Sequence, residues 1–412
     1  MKYLINISGD IPHAGITNIN IPLNGKNLII TGRNGSGKTS FLNNLNEKLA
    51  LHFSKEIQQK NQYEKHLVYY QEQIKTHSEG SYQYSDAKSS IKRIQNDINN
   101  LTKSLNLEFK NEFDLLNLYD NYKAIYKSFE AMRKSIILHV TSSTSIDFEK
   151  ETAKNNKFNN LGNKLEQHLV NIRVNKAFAY EKKDESRFNI LNSWFEQFDT
   201  QLKFLFENDT AKLIFNDQKF KYKIQLDERE FDFQNLSSGY LAIFDIFADL
   251  LVRSEFFEIS PSELHGIVLI DEIDAHLHIS LQKKILPFFT SLFPEIQFIV
   301  STHSPFVITS TDNDTVVYDI SSGEFFEEDL SLYSHESIIK ELFHVRDEDD
   351  NLKAFSDQLL NFIELENTPK DLESIQNLLN KINKNFEKLS VELQLQYIVA
   401  KNKLAKLKHE DN

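Results

Sequence analysis

Alternation opens the chain. Tyr3, Ile5 and Ile7 fall on every second position, the spacing of a half-buried strand. The apolar run Asn27-Leu28-Ile29-Ile30-Thr31 predicts a second strand, ending on a glycine. From about Lys38 the period becomes helical. Tyr63, Leu67, Tyr70 and Ile74 step by 4, 3 and 4, and Ile91, Ile94, Ile98, Leu101 and Leu105 step by 3, 4, 3 and 4. Both are heptad seams, separated by the polar break Ser78-Glu79-Gly80-Ser81. They predict two helices folded back as a short antiparallel coiled-coil hairpin, whose first arm, Ser54 to His77, would run about 36 Å at ~1.5 Å per residue.

Ile136 to Val140 reads as a buried strand and Thr141 to Ser145 as a loop, and helical patterning returns from Leu161 to Phe206 around the single Trp194. Leu213-Ile214-Phe215, the turn pair Asn216-Asp217, and then Phe220, Tyr222, Ile224 and Leu226 on alternate positions predict a hairpin. Elements then alternate: helix Gly239 to Arg253, strand Ile267 to Ile270, helix Ser280 to Phe293, strand Gln297 to Ser301 and strand Thr315 to Asp319. That order is the mark of an α/β parallel sheet. Beyond about Arg346 the chain is polar and helical, with Leu372, Ile375, Leu379, Ile382, Phe386 and Leu389 on one face and Pro369 where a helix could start. No repeat of solenoid period is present.

A length of 412 residues predicts two or three domains, and usage that is 40% hydrophobic and 26% charged is that of a globular chain. A net charge of −13 argues against a nucleic-acid coat or a membrane-surface binder. The lack of cysteine excludes disulfides, thiolate catalysis and cysteine-based zinc sites. Met1-Lys2-Tyr3-Leu4 lacks the layout of a signal peptide, and the best apolar run, Tyr240 to Val252, is interrupted by Asp245 and Asp249. The expectation is a soluble, cytoplasmic protein with no membrane partner.

The first chemistry follows the strand at 27–31. Gly32-Arg33-Asn34-Gly35-Ser36-Gly37-Lys38-Thr39, with Ser40 next, joins that strand to a helix, the context that the phosphate-binding pattern GxxxxGK[ST] requires. The glycines let backbone N–H groups turn inward on a phosphate, and the helix start adds partial positive charge. Lys38 would reach the β- and γ-phosphates of a nucleotide, and the Thr39 hydroxyl would complete a Mg2+ shell. The buried strand Ile267-Val268-Leu269-Ile270 delivers Asp271, a second candidate metal ligand, to the sheet edge, and Glu272 could polarise an attacking water. Leu236-Ser237-Ser238-Gly239-Tyr240 reads in isolation as a helix N-cap. His303, in Phe298-Ile299-Val300-Ser301-Thr302-His303-Ser304-Pro305, would on its own be structural. If its strand neighbours that of Asp271, it is placed to contact a γ-phosphate.

In order and spacing these elements resemble the ABC-type ATPase head, specifically its SMC/RecF-like (OLD-like) branch. Lys38 matches the Walker A lysine, Ser237 to Gly239 the signature motif, Asp271 and Glu272 the Walker B pair, and His303 the switch histidine. The run Asp271-Glu272-Ile273-Asp274-Ala275-His276-Leu277-His278 resembles the family's DEPExHLHP segment, departing from it at Ile273 and Ile279, where prolines are usual, and at Asp274. Those departures bear on loop shape more than on chemistry. No Q-loop glutamine stands out. The resemblance implies a P-loop NTPase fold of ABC/RecF type, with ATP and Mg2+ as ligands. It also implies a homodimer in which the signature serine of one head closes over the γ-phosphate held by the other, with Asp274 to His278 lining the seam. The domains that follow are 1–54 and 205–345 as the two lobes of the head, 55–204 as a helical insertion with the coiled-coil hairpin, and 346–412 as a helical tail.

Compact heads of this kind look like the ATPase subunits of Septu, retron-associated and PARIS-like anti-phage systems, which act with a separate nuclease or toxin. The leading expectation is therefore an ATP-driven homodimeric switch for a separate effector protein. A second reading is a RecF-like repair ATPase that binds DNA through Lys88, Lys92, Arg93 and Lys103 or through Arg173, Lys176, Lys182 and Lys183. A third is a self-contained nuclease using Glu348-Asp349-Asp350, or Arg346, Glu341 and His344, although that acidic run reads more simply as a solvated loop. A transporter ATPase is disfavoured, since the insertion reads as a helical hairpin.

Overall fold

The structure is a computed structural model and describes residues 2–133, 136–140, 142–145, 150–151, 154, 160–334, 337–338, 342, 357–363, 372–383 and 391–410. Two compact units divide the chain, Met1–Ile338 and Ile339–Asn412.

In the first unit the strands are β1 (Leu4–Ile11), β2 (Ile16–Pro22), β3 (Asn27–Thr31), β4 (Leu105–Phe109), β5 (Ala124–Phe129), β6 (Lys212–Asn216), β7 (Lys221–Leu226), β8 (Arg229–Phe231), β9 (His265–Ile270), β10 (Ile296–Ser301), β11 (Thr315–Asp319) and β12 (Glu324–Phe326). The main sheet has the order β12-β11-β3-β10-β9-β5, and β11, β3, β10, β9 and β5 run parallel. Every residue of β3, β10 and β11 is buried, which explains why these strands read as unbroken apolar runs rather than as alternations. Register pairs Ser301 with Ile30, Val300 with Ile270 and Phe129 with Ile270. The carboxyl ends of four strands therefore meet at one edge, where open α/β sheets hold their ligands. Two antiparallel sheets, β2-β1-β4 and β6-β7-β8, complete the strands.

Helix α1 (Lys38–Phe53) buries Phe41, Leu42, Leu45, Leu49 and Phe53 in one core with Leu4, Ile7, Ile19 and Ile21 of the β2-β1-β4 sheet and Leu28, Ile30, Leu269 and Ile299 of the main sheet. Helices α2 (Lys60–Thr76) and α3 (Tyr82–Thr102) form the expected hairpin, with Ala87, Ile94 and Leu101 buried at heptad spacing on α3. After α4 (Glu112–Asp120) come α5 (Leu165–Glu181), α6 (Glu185–Phe206) and α7 (Ser238–Phe256). Short helices α8 (Ile279–Gln282) and α9 (Ile285–Leu292) precede β10, and α10 (Pro305–Ile308) follows it. A chain of rings ties these layers together: Phe198 of α6 meets Phe247 of α7 at 5.7 Å, Phe247 meets Phe288 of α9 at 5.5 Å, and Phe289 meets Phe298 of β10 at 5.9 Å.

The structure differs from the sequence expectation in three places. Residues 105–129, assigned above to a helical insertion spanning 55–204, supply β4, α4 and β5, and β5 is the edge strand of the main sheet. Leu105 and Leu107 are buried, with exposed Asn106 and Glu108 beside them: a strand alternation begins on the residue that ended the heptad count. Residues 136–140 are not a strand. Ile136 and Leu138 are exposed, and the Ile137 carbonyl accepts instead from the Gln234 side chain. The helix expected over Ser280 to Phe293 breaks into α8 and α9 because Pro287, tolerated in the first turn of α9, would clash with the carbonyl of Lys283 in a continuous helix.

In the second unit, residues 357–363, α11 (Leu372–Asn383) and α12 (Val391–Glu410) are helical. They share a core of Leu359, Phe362, Leu378, Leu379, Ile382, Tyr397, Ala400 and Leu404. Pro369, Phe386 and Leu389, and the nuclease candidates Glu341, His344, Arg346, Glu348, Asp349 and Asp350, lie outside the described residues. Among the described residues no helix is long and apolar enough to cross a membrane.

Candidate functional site

Residues 32–37 turn from β3 into α1 through three glycines with positive φ: Gly32 at 136°, Gly35 at 77° and Gly37 at 97°. At Gly32 a Cβ would stand 2.5 Å from Ser321 Oγ and 2.9 Å from Ser36 Oγ, so only glycine fits. The lid over this turn comes from the β11–β12 hairpin. Ser321 Oγ accepts from the Arg33 N–H at 2.8 Å, and buried Asp319 accepts from the Ser321 N–H and the Ser322 hydroxyl. Arg33 and Asn34 are exposed, Ser40 is half-buried, and the Ser36 hydroxyl is buried with no hydrogen-bond partner among the described residues. Lys38 is buried, and its Nζ donates to the carbonyls of Gly32 and Arg33 at 3.1 and 3.0 Å. Burial lowers its pKa, against the pull of Glu272, Asp271, Asp319 and Asp274.

The two candidate metal ligands meet. Thr39 Oγ1 donates to Asp271 Oδ2 at 2.8 Å, while the other carboxylate oxygen accepts from the Ser301 hydroxyl at the end of β10. That hydroxyl in turn accepts from the Glu272 N–H at 2.7 Å, and the Ser301 carbonyl accepts from the Ile273 N–H at 3.0 Å. A proline at position 273 would have no N–H for the last bond. A hydroxyl beside a carboxylate at the mouth of a phosphate loop fits Mg2+, which takes few protein oxygens and completes its shell with phosphate and water. Among the described residues there is no cluster of three or more acidic or histidine side chains that would form an all-protein cage.

The candidate switch histidine also sits at this edge. His303 follows β10. Burial lowers its pKa and Lys38 acts in the same direction, while Asp274, Glu272 and Asp271 oppose them. Its neighbours fix the turn: Thr302 donates to Asp274, and the Ser304 hydroxyl caps α10 and donates to Gln282.

Ser237 is the N-cap residue of α7, as the bland reading expects, yet its hydroxyl makes no capping hydrogen bond, and Ser237 and Ser238 are both exposed. Gly239 explains the third signature position. A Cβ there would stand 2.5 Å from the His276 carbonyl, so the start of α7 packs directly on the loop that follows Asp271.

Sequence reasoning missed Ser301, Asp319 and Arg133. The first two end buried strands, the same signal that identified Asp271. Arg133 carried no signal, being a lone arginine beyond an unrecognised strand. Its Nη2 donates to the carbonyls of Asp271 and Glu272 at 2.7 and 3.1 Å.

Comparison with known proteins adds four findings. Residues 28–309 match the family described as "AAA domain, putative AbiEii toxin, Type IV TA system". A "Retron Vc95 probable ATPase" of Vibrio cholerae serotype O1 biovar El Tor is 41% identical over 85 residues, covering 20% of this chain and 16% of that one. A "Septu protein PtuA" of Bacillus mycoides (strain KBAB4) is 42% identical over 73 residues, covering 18% of this chain and 10% of that one. The chain thus spans about a sixth or less of the length of these curated relatives. Among solved structures, an SMC head bound to the C-winged helix domain of ScpA aligns with 79% of this chain and 97% of its own at 15% identity, with a TM-score of 0.34.

Proposed function

The chain belongs to the AAA-domain family of the AbiEii-type description, and from that premise we propose that it binds and hydrolyses ATP as a homodimeric switch in anti-phage defence, controlling a separate effector protein. The observation that carries the ATPase reading is the bond from Thr39 to Asp271, which joins the phosphate loop to the end of β9. Residues 32–37 would cradle the phosphates, Lys38 would exchange its two carbonyl partners for phosphate oxygens, and Thr39 and Asp271 would hold Mg2+. When bound, the metal offsets phosphate charge. Glu272 would take the proton of the attacking water, and His303, held towards its neutral form, would contact the γ-phosphate. The exposed hydroxyls of Ser237 and Ser238 support the composite site, in which each head completes the other's. The defence setting is supported by the names of the retron and Septu relatives.

The test is Glu272→Gln protein purified from its native host with ATP and Mg2+. The expected outcome is an ATP-dependent dimer by light scattering, with hydrolysis reduced about 100-fold or more and a stoichiometric protein partner identified by mass spectrometry. A monomer at saturating ATP would remove the sandwich. Nucleic acid in place of a protein partner would favour a DNA-binding role.

A further inference from the structure

Glu272 holds φ at 47°, a left-handed conformation that a residue with a Cβ keeps only when its surroundings enforce it. Two clamps enforce it. On the β10 side Ser301 accepts from the N–H groups of Glu272, through its hydroxyl, and of Ile273, through its carbonyl. On the β5 side stands Arg133, whose Nη2 grips the carbonyls of both Asp271 and Glu272. Among the described residues nothing hydrogen-bonds the Glu272 carboxylate, so the backbone sets its aim.

Arg133 reaches this position because β5 lies parallel to β9 in register, Phe129 opposite Ile270, and the Phe129 carbonyl accepts from the Asp271 N–H at 2.9 Å. The segment after β5 therefore leaves the sheet beside the end of β9. The acids whose charges act on the guanidinium are Asp245 of α7, then Asp271, Asp274 and Glu272. A lysine at position 133 would present a compact ammonium rather than a planar fork, and would not bridge two successive carbonyls equivalently.

We propose that Arg133 is a positioning residue for the water-activating carboxylate: by holding the Asp271 and Glu272 carbonyls it fixes the left-handed turn at Glu272 and with it the direction of that side chain. This rests on the role of Glu272 proposed above, and the test separates the two. Arg133→Met and Arg133→Lys are compared in the full chain, each alone and combined with Glu272→Gln, by steady-state hydrolysis and by the affinity for a fluorescent ATP analogue. Arg133→Met is expected to lower kcat about 10- to 100-fold, the scale of a misaimed catalytic group, while KM and analogue affinity stay within about twofold. Arg133→Lys falls between. With Glu272→Gln already present, Arg133→Met lowers kcat no further.

Wild-type kcat in Arg133→Met overturns the proposal. So does the same fold-loss in both backgrounds, which marks general damage, and so does a loss of affinity at constant kcat. If Arg133→Met does not fold, Arg133→Lys decides by the same criteria. Should Glu272→Gln itself leave kcat unchanged, it is the general-base reading that fails.

Discussion

The edge of the main sheet and the start of α7 carry the two halves of the proposed site on opposite terms. At the sheet edge, Thr39, Asp271, Ser301 and the Glu272 backbone are already joined by hydrogen bonds within one chain. At the start of α7, Ser237 and Ser238 are exposed and the Ser237 hydroxyl leaves the helix uncapped, while Gly239 just behind them is locked against the His276 carbonyl. One half is cross-linked within the chain; in the other, among the described residues, the Ser237 hydroxyl makes no capping bond. In the proposed composite site, a hydroxyl that forgoes a cap worth about 1 kcal/mol would serve an acceptor on a second copy instead.

The strongest way to break this contrast is Ser237→Arg. If the hydroxyl serves a nucleotide on a second copy, the variant binds ATP with unchanged affinity through its own phosphate loop, fails to dimerise, and loses about 100-fold or more in kcat. Sedimentation with and without ATP, beside a hydrolysis assay, checks both parts. Wild-type hydrolysis by Ser237→Arg would mean that each chain works alone. A smaller effect tests the lock. Gly239→Ala puts a methyl group against the His276 carbonyl and should lower stability by about 1–3 kcal/mol, read as a shift in the urea midpoint. An unchanged midpoint would show that the loop at 276–277 yields.

Legibility divides along the same line. The phosphate loop, Asp271, Glu272 and His303 stood out because each follows a buried apolar run and the four stand in the order and spacing of a known ATPase head; Ser301 and Asp319 end such runs too but match no motif. Strand β5 did not stand out. Its sequence, Ala124-Ile125-Tyr126-Lys127-Ser128-Phe129, carries a buried lysine whose charge is met by Asp249 of α7 at 3.7 Å, a partner more than a hundred residues distant. Asp249, which looked like an interruption in an apolar helix, is itself buried and held by Arg253 at 2.8 Å and by the Leu161 N–H at 2.6 Å. Arg133 was lost together with β5, since its value depends on which strand it follows. Local pattern reports burial. It does not report which buried charges neutralise each other across the fold.

The far end of α7 sharpens the comparison through pH. There His168 of α5 packs edge-on against Phe256 and Trp194, and among the described residues neither ring nitrogen has a hydrogen-bond partner. Trp194 Nε1 donates instead to Glu255 at 2.6 Å. Burial, aided by the charge of Lys150, pushes the His168 pKa from its ordinary 6.5 down to about 4. The unfolded chain takes up this proton near pH 6.5, and the folded chain resists it until about pH 4. The stability that neutral His168 contributes is therefore complete above pH 6.5 and is lost as pH falls through that window. The loss is about 1 kcal/mol at pH 6 and approaches about 3 kcal/mol near pH 4. His168→Phe should flatten this acid limb in denaturant titrations at pH 7, 6 and 5 while leaving hydrolysis at pH 7.5 unchanged, because the ring lies at the end of α7 opposite Ser237. An acid limb as steep in His168→Phe as in the wild type would place the titrating group elsewhere.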